Sequence, residues 1–131
     1  MCRGLCSAVD VLHSRSPQVA HRDLKLENIL VARDRSYRLC DFGSTSLHRG
    51  PVRRDELGAM EADLQRFTTA AYRAPEQVDM FSGEPMDERV DIWAIGCIIY
   101  TVAFAKHPFA DVGNLGILNG RCVVRRCTCT Q

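Results

Sequence analysis

The sequence predicts a mainly α-helical fold that carries one short β-hairpin. Three observations lead there. Leu5, Ala8, Val9 and Leu12 fall at i, i+3, i+4 and i+7, which is one face of an amphipathic helix. Residues 87–105 form the most apolar stretch, with Ile92, Trp93, Ile95, Ile98, Ile99, Val102 and Phe104 spread around every side of a helix. Between them, Ile29-Leu30-Val31 and Tyr37-Arg38-Leu39-Cys40 read as two short strands flanking the polar turn Ala32 to Ser36.

Taken in order, the first helix ends before Pro17, because a residue preceding proline is pushed out of the helical region. Met1 then stands inside that helix or at its edge. Val19-Ala20 is a short apolar entry to a loop. The hairpin holds Asn28 and Asp41 near each other although thirteen residues separate them. Residues 44–58, rich in Ser, Arg and Gly, have the character of a mobile loop, and Glu61 to Phe67 make a short helix. The 87–105 segment, apolar all round, is expected to be a buried core helix. A membrane span is the alternative, but Ile92 to Ala105 falls short of the ~20 residues a span requires and is bracketed by Asp91 and Lys106. Arg121 to Gln131 has no apolar period, and no internal repeat is visible.

Composition fits one globular unit with its own core: 131 residues, 46% apolar and 25% charged. A net charge of +1 gives no reason to invoke nucleic acid or an anionic membrane as partner. No charged start with an apolar core and a small-residue cleavage site is present, so secretion is not expected. Of the seven cysteines, Cys2, Cys6, Cys40 and Cys97 sit singly in apolar stretches, where a reduced thiol acts as a small hydrophobe. Cys122, Cys127 and Cys129 lack a zinc spacing or a partnering histidine, so free thiols are expected.

The most informative residues are His21-Arg22-Asp23-Leu24-Lys25-Leu26-Glu27-Asn28. Phosphoryl transfer needs a carboxylate to accept a hydroxyl proton, a cation to neutralise the moving phosphoryl group and an amide oxygen to hold magnesium. Asp23, Lys25 and Asn28 supply those three on one loop, and Asp41 in Asp41-Phe42-Gly43 supplies a second hard oxygen ligand. A solvated loop aspartate is the bland account of Asp23, and a surface lysine that of Lys25. Their company argues for chemistry. Glu27 either faces solvent or meets a basic substrate residue. Leu30 either floors an adenine pocket or is an ordinary core leucine. Arg22 is a ready partner for a phosphorylated residue, since arginine grips phosphate with two parallel bonds. The acceptors at hand are Ser44, Thr45, Ser46, Thr68 and Thr69. Asp91, on the apolar helix, would be a costly buried charge if unpaired.

His-Arg-Asp, Asp-Phe-Gly and Ala74-Pro75-Glu76 in this order resemble the catalytic domain of protein kinases. The resemblance covers residues 1–124: a catalytic loop at 21–28, an activation segment at 41–76, a core helix at 87–105, then an atypical tail at 125–131. It implies a protein-kinase-like fold with the C-terminal lobe only. None of the nine glycines forms the Gly-rich phosphate loop, and twenty residues precede His21, so the N-terminal lobe is expected to be absent. Lys25 resembles the serine/threonine group. Leu39 to Ser44, Phe67 to Glu76, Asp91 to Cys97, His107-Pro108-Phe109 and Ile117 to Gly120 are similar to the Numb-associated kinases, which include the adaptor-associated and cyclin-G-associated kinases.

The resemblance implies ATP and Mg2+ as cofactors, with serine or threonine residues of clathrin adaptor or actin-regulating proteins as substrates, in the cytoplasm. It implies catalytic roles for Asp23, Lys25 and Thr69, the threonine closing the site against the other two. Lys25, Asn28, Leu30 and Asp41 would meet the nucleotide, and Asn28 and Asp41 the metal. His21, Arg22, Phe42, Gly43, Glu76 and Asp91 take structural or regulatory places. Asp91 would bind the backbone of the catalytic loop, and Glu76 would pair with an arginine from a segment that follows in kinases. Cys40 would lie behind the ATP site, either open to a thiol-reactive ligand or buried and inert. With the phosphate loop and the strand lysine missing, the chain alone is expected to be inactive. A lobe acting as a protein-binding module is the alternative. Intact Asp23, Lys25, Asn28 and Asp41 speak against a pseudokinase.

Overall fold

A computed structural model describes residues 2–122, so the atypical tail at 125–131 and the setting of Met1 lie outside the described residues. The elements follow the order α1 (Cys2–His13), β1 (Ile29–Val31), β2 (Tyr37–Leu39), α2 (Leu57–Phe67), α3 (Pro75–Val78), α4 (Arg89–Phe104) and α5 (Gly113–Leu118). Short 3-10 turns fall at Leu26–Asn28 and Ala70–Tyr72. The chain is mostly helical with a single antiparallel hairpin among the described residues, as its patterning predicts. α2 begins at Leu57, four residues ahead of the expected Glu61.

In the hairpin, Ile29 faces Leu39, Leu30 faces Arg38 and Val31 faces Tyr37. Its turn is fastened by Asp34, whose carboxylate accepts from the Ser36 backbone N–H (3.0 Å) and hydroxyl (2.6 Å). Those bonds hold the Asp34 carboxyl below its ordinary range. α1 packs against β2 at Gly4, where an added Cβ would come within 3.0 Å of the Tyr37 ring. Glycine here is a matter of clearance.

α4 organises the core, contributing to three apolar clusters. Ala94, Ile95 and Ile98 meet Leu5 and Val9 of α1 together with Leu24. Val90, joined by Trp93, meets Ala20, Leu64, Ala74 and Met86. Cys97 meets Phe109 and Ile117, with the Trp93 and Phe109 rings stacked at 5.3 Å. Burial holds the Cys97 thiol as an inert hydrophobe, pushing it up to about 12.

The expectation of a helix buried on every side does not hold. Val90, Asp91, Ala94, Ile95, Cys97 and Ile98 are buried, a set with helical spacing. Ile92 and Val102, by contrast, are 56% and 52% exposed, and Ile99 is also open. All three clusters lie on one side of the helix, and the described residues cover little of the other. The 44–58 segment is likewise less free than its composition implies. Ser46 exchanges two backbone bonds with Ala20 (2.9 and 3.0 Å), and Gly50 accepts from Met86 (2.9 Å).

Ile98→Ala is expected to cost about 2–5 kcal/mol of unfolding free energy, because it empties a fully buried site in α4. Ile92→Ala on the open face is expected to cost under about 1 kcal/mol. Urea denaturation of the two variants side by side checks the pair.

Candidate active site

The 21–28 loop is anchored from beneath by one side chain. The Asp91 carboxylate, fully buried on α4, accepts the backbone N–H of His21 at Oδ2 (2.7 Å) and that of Arg22 at Oδ1 (2.8 Å). His13, at the end of α1, places Nε2 2.9 Å from Oδ2. The buried charge thus meets three polar hydrogens, which offset its desolvation. Arg22 has φ +66, a left-handed conformation that costs a non-glycine residue roughly 1–2 kcal/mol. The bonds to Asp91 hold the loop through that reversal.

His21 is fully buried and acts as a spacer. Its Nε2 donates to the Cys40 carbonyl (3.2 Å), and its ring lies 5.3 Å from the half-exposed Phe42. Ser44, also buried, donates its hydroxyl to the His21 carbonyl (2.6 Å). The loop and the Asp-Phe-Gly-Ser turn are therefore joined by side chain, ring and backbone together.

Around Asp23 the hydrogen bonds converge. Thr69 donates both its backbone N–H (3.0 Å) and its hydroxyl (2.7 Å) to Asp23 Oδ1. Lys25 Nζ donates to Asp23 Oδ2 (2.7 Å) and to the Thr69 hydroxyl oxygen (2.9 Å). Asn28 Nδ2 donates to the Asp23 carbonyl (2.8 Å) and to Oδ2 (3.2 Å). The bond to Asp23 pushes the Lys25 ammonium above its ordinary value in spite of some desolvation, which keeps it cationic at neutral pH. The structure thus brings Asp23, Lys25, Asn28 and Thr69 into one bonded group, from positions up to 46 residues apart.

Asn28 is tied to the neighbourhood of Asp41 through the hairpin, since the Cys40 N–H donates to the Asn28 carbonyl (3.0 Å). Asp41, at φ +61, accepts from the Gly43 N–H (3.3 Å) and is otherwise open to solvent. No hydrogen bond among the described residues falls on the Asn28 amide oxygen. Asp23, Lys25, Asp41, Gly43, Thr68 and Thr69 border a cleft of about 340 Å³, closed on another side by Arg66 and Phe67. Leu30 does not line it. At 52% exposed, Leu30 is not a core leucine either. A separate apolar cavity of about 280 Å³ lies between α4 and Pro108-Phe109, away from the carboxylates.

The groups around Arg22 differ from the expectation of a free phosphate receptor. Its Nε donates to the Ser44 carbonyl (2.7 Å), and its Nη2 pairs with Asp63 of α2 (2.6 Å). Of the candidate acceptors, the Thr69 hydroxyl is held in the Asp23 group, and that of Thr68 donates to Leu64 O (2.6 Å) and accepts from Arg73 Nε (2.8 Å). Glu76 is partly buried and makes no ion pair among the described residues. Burial raises its carboxyl above the usual range. Cys40 is half-buried.

Four participants escaped the sequence reading. Asp63 and Arg66 look like any solvated helix face, and His13 like the polar end of an amphipathic helix. Ser44 follows Asp-Phe-Gly, which was the one available signal that its hydroxyl is not simply a free acceptor.

A model of the protein kinase domain matches residues 1–126. The chain belongs to the protein kinase family. Among its relatives, a probable serine/threonine-protein kinase of Dictyostelium discoideum is 45% identical over 116 residues, 88% of this chain and 14% of the relative. Actin-regulating kinase 1 of Saccharomyces cerevisiae is 42% identical over 114 residues, 86% of this chain and 18% of that protein. A serine/threonine-protein kinase of Schizosaccharomyces pombe is 42% identical over 115 residues, 87% of this chain and 12% of the relative. The chain thus spans less than a fifth of the length of these relatives. Actin-regulating kinases among them agree with the resemblance to the Numb-associated branch.

Two measurements follow from the carboxylates of Asp91 and Glu76. Asp91→Ala strands one buried and one part-buried N–H donor, each worth up to about 1–3 kcal/mol, so unfolding free energy should fall by about 2–6 kcal/mol in a urea titration. Glu76 carries the opposite lesson. With its folded-state pKa raised above 4.5, the folded form binds the proton more tightly, so its contribution weakens as pH climbs through and above 4.5. Glu76→Gln removes that loss. Its stability relative to wild type should therefore rise between pH 4.5 and neutrality. A flat difference across that range would place the raised value elsewhere.

Proposed function

We propose that residues 1–124 are the C-terminal-lobe portion of a serine/threonine protein kinase that moves the terminal phosphoryl group of ATP to a protein hydroxyl. The observation that carries this reading is the Asp23 carboxylate held by Thr69 and Lys25 at the edge of a cleft that Asp41 shares. Catalysis of this kind rests on positioning and charge, and this group supplies both. Asp23 orients the acceptor hydroxyl and takes its proton. Thr69, whose backbone and hydroxyl both grip Asp23, fixes the carboxylate plane and the near wall of the cleft. Lys25 neutralises charge that builds on the transferring group.

The donor set suits magnesium. Among the described residues no cluster of three or more His, Cys, Asp or Glu could hold a metal unaided. A site of one amide oxygen and one carboxylate leaves positions for water and phosphate oxygens, as Mg2+ prefers. Asn28 and Asp41 would hold the ion, which when bound would shield the phosphate charge. Lys25 would meet the nucleotide's phosphates. Leu30, exposed on β1, would offer an apolar surface to the adenine, and Cys40 would stand behind it.

The 41–76 stretch serves as the activation segment. The substrates are serine or threonine residues on actin-regulating or clathrin adaptor proteins in the cytoplasm, a reading supported by the actin-regulating kinases among the relatives. No helix among the described residues is long and apolar enough to cross a membrane.

Phosphate transfer to a Thr-containing peptide, followed with labelled ATP and Mg2+, tests the assignment. The 131 residues include no Gly-rich phosphate loop, so this chain alone is expected to show no turnover. A longer form of the protein that carries these residues is expected to transfer phosphate, and Asp23→Asn should lower its kcat by about 10²–10⁴-fold. Undiminished transfer by that variant would remove Asp23 from the reaction.

A further inference from the structure

Outside the catalytic cleft, a pocket of about 160 Å³ lies between α2, α3 and α5. Among its lining residues Glu61, Gln65 and Asn114 are exposed while Leu64 and Gln77 are buried, so it runs from solvent to core. Gln77, on α3, is 4% exposed. Its Oε1 accepts from the Ala74 N–H (2.9 Å), which fixes the orientation of the amide. The Nε2 on the other branch is buried and has no hydrogen-bond partner. A buried donor left so costs free energy that an incoming acceptor recovers.

Arg73 lines the same pocket. Its Nε donates to the Thr68 hydroxyl oxygen (2.8 Å) and its Nη2 to the Leu64 and Thr68 carbonyls (2.9 and 3.4 Å). All of these acceptors are neutral. Burial lowers the Arg73 guanidinium below its ordinary range, and no ion pair among the described residues opposes that shift. A cation drawn partly out of water without an anion is a receptor for one. Two donors beside a single positive charge match the two oxygens of a carboxylate. A phosphate dianion would be only half neutralised by Arg73 and would be repelled by Glu61. Thr68 joins this pocket to the cleft: it borders the cleft beside Asp23, and Arg73 holds its hydroxyl.

The geometry points to a carboxylate subsite that takes an Asp or Glu side chain of the protein substrate, with Gln77 Nε2 and Arg73 Nη1 as its donors. That the acid belongs to a substrate rests on the kinase reading above. The carboxylate subsite itself does not.

An NMR titration of the isotope-labelled 131-residue chain reads the pocket directly, through the Gln77 side-chain amide and the Arg73 guanidinium. N-acetylglutamate amide is expected to shift both signals and to saturate them, whereas the uncharged N-acetylglutamine amide should shift them far less. Gln77→Glu keeps the acceptor for the Ala74 N–H and removes the donor, so the Arg73 signal should report binding weakened about tenfold or more. Glu61→Gln removes a repulsive charge and should tighten binding about two- to fivefold, a gain that loss of folding does not imitate. If the two probes act alike, if neither moves the signals, or if Gln77→Glu binds as wild type does, the inference is overturned and water serves the Gln77 donor. A response to blocked phosphoserine in preference to the glutamate probe also overturns it.

A longer, active form supplies the second arm, with peptides carrying Glu or Gln at successive positions around the acceptor threonine. At one position Glu is expected to lower KM about tenfold relative to Gln with little change in kcat, because the subsite lies apart from the reacting group. Gln77→Glu should erase that preference. Absence of a favoured position would overturn the substrate assignment. Absence of any Asp23-dependent transfer would count against the kinase reading and leave the titration to decide the subsite.

Discussion

The carboxylate of Asp91 is the constraint on which the remainder of the site depends. It is a charge placed in the core on purpose, and it is tolerated because two backbone N–H groups and the His13 ring surround it. Those N–H groups belong to a loop that is making a left-handed reversal at Arg22, so they have no strand or helix of their own to bond. The apolar body of α4 fixes where the carboxylate stands, through Ala94 and Ile95 one turn further along and Ile98 two turns along. Packing energy in the core is thereby converted into the position of a loop that itself has little regular structure.

The reversal at Arg22 explains why neighbouring residues serve different ends. The Arg22 side chain turns toward Ser44 and Asp63, while Asp23 meets Thr69 and Lys25. Thr69 closes the circuit from the far end of the 41–76 segment. Its backbone N–H and hydroxyl both point at one carboxylate oxygen, a demand that only a short polar side chain on extended backbone meets. Arg73 then ties Thr68 to the end of α2, bonding Leu64 O at 2.9 Å. The segment is therefore fastened at Ser44, at Asp63 and at Thr69.

How far the sequence showed this depends on what kind of pattern each feature leaves. Periodicity disclosed α1 and α4, and alternation around a polar turn disclosed the hairpin. Short motifs disclosed Asp23, Lys25, Asn28, Asp41 and Thr69, which the fold brings into one neighbourhood. What stayed hidden was sidedness and pairing. α4 is apolar on both faces in sequence, so nothing told that Ile92 and Val102 would be open while Val90 and Ile98 were covered. Asp63 is one acid among several on a charged helix, and only the three-dimensional approach of Arg22 distinguishes it. The loop of 44–58 looked free because Ser, Arg and Gly carry no period, yet backbone bonds at Ser46 and Gly50 need no side-chain signature.

Charge placement sharpens the contrast between Asp91 and Glu76. Both are carboxylates drawn into the protein, but Asp91 has donors on each oxygen, whereas Glu76 is helped by its own backbone N–H and makes no ion pair among the described residues. The physical outcome is opposite. Burial raises the Glu76 carboxyl, a sign that its ionised form is poorly compensated, with its own backbone N–H and then Arg89 as weaker help. A carboxylate held this way destabilises the fold at neutral pH, whereas Asp91 organises it. Position along the chain fits that division. Asp91 sits on the element every cluster shares, and Glu76 on a four-residue helix whose own order rests on Gln77 accepting from the Ala74 N–H. The 21–28 loop is thus bonded to the core helix through the Asp91 carboxylate. Glu76 lies downstream of Thr69 and takes no part in the hydrogen bonds around Asp23.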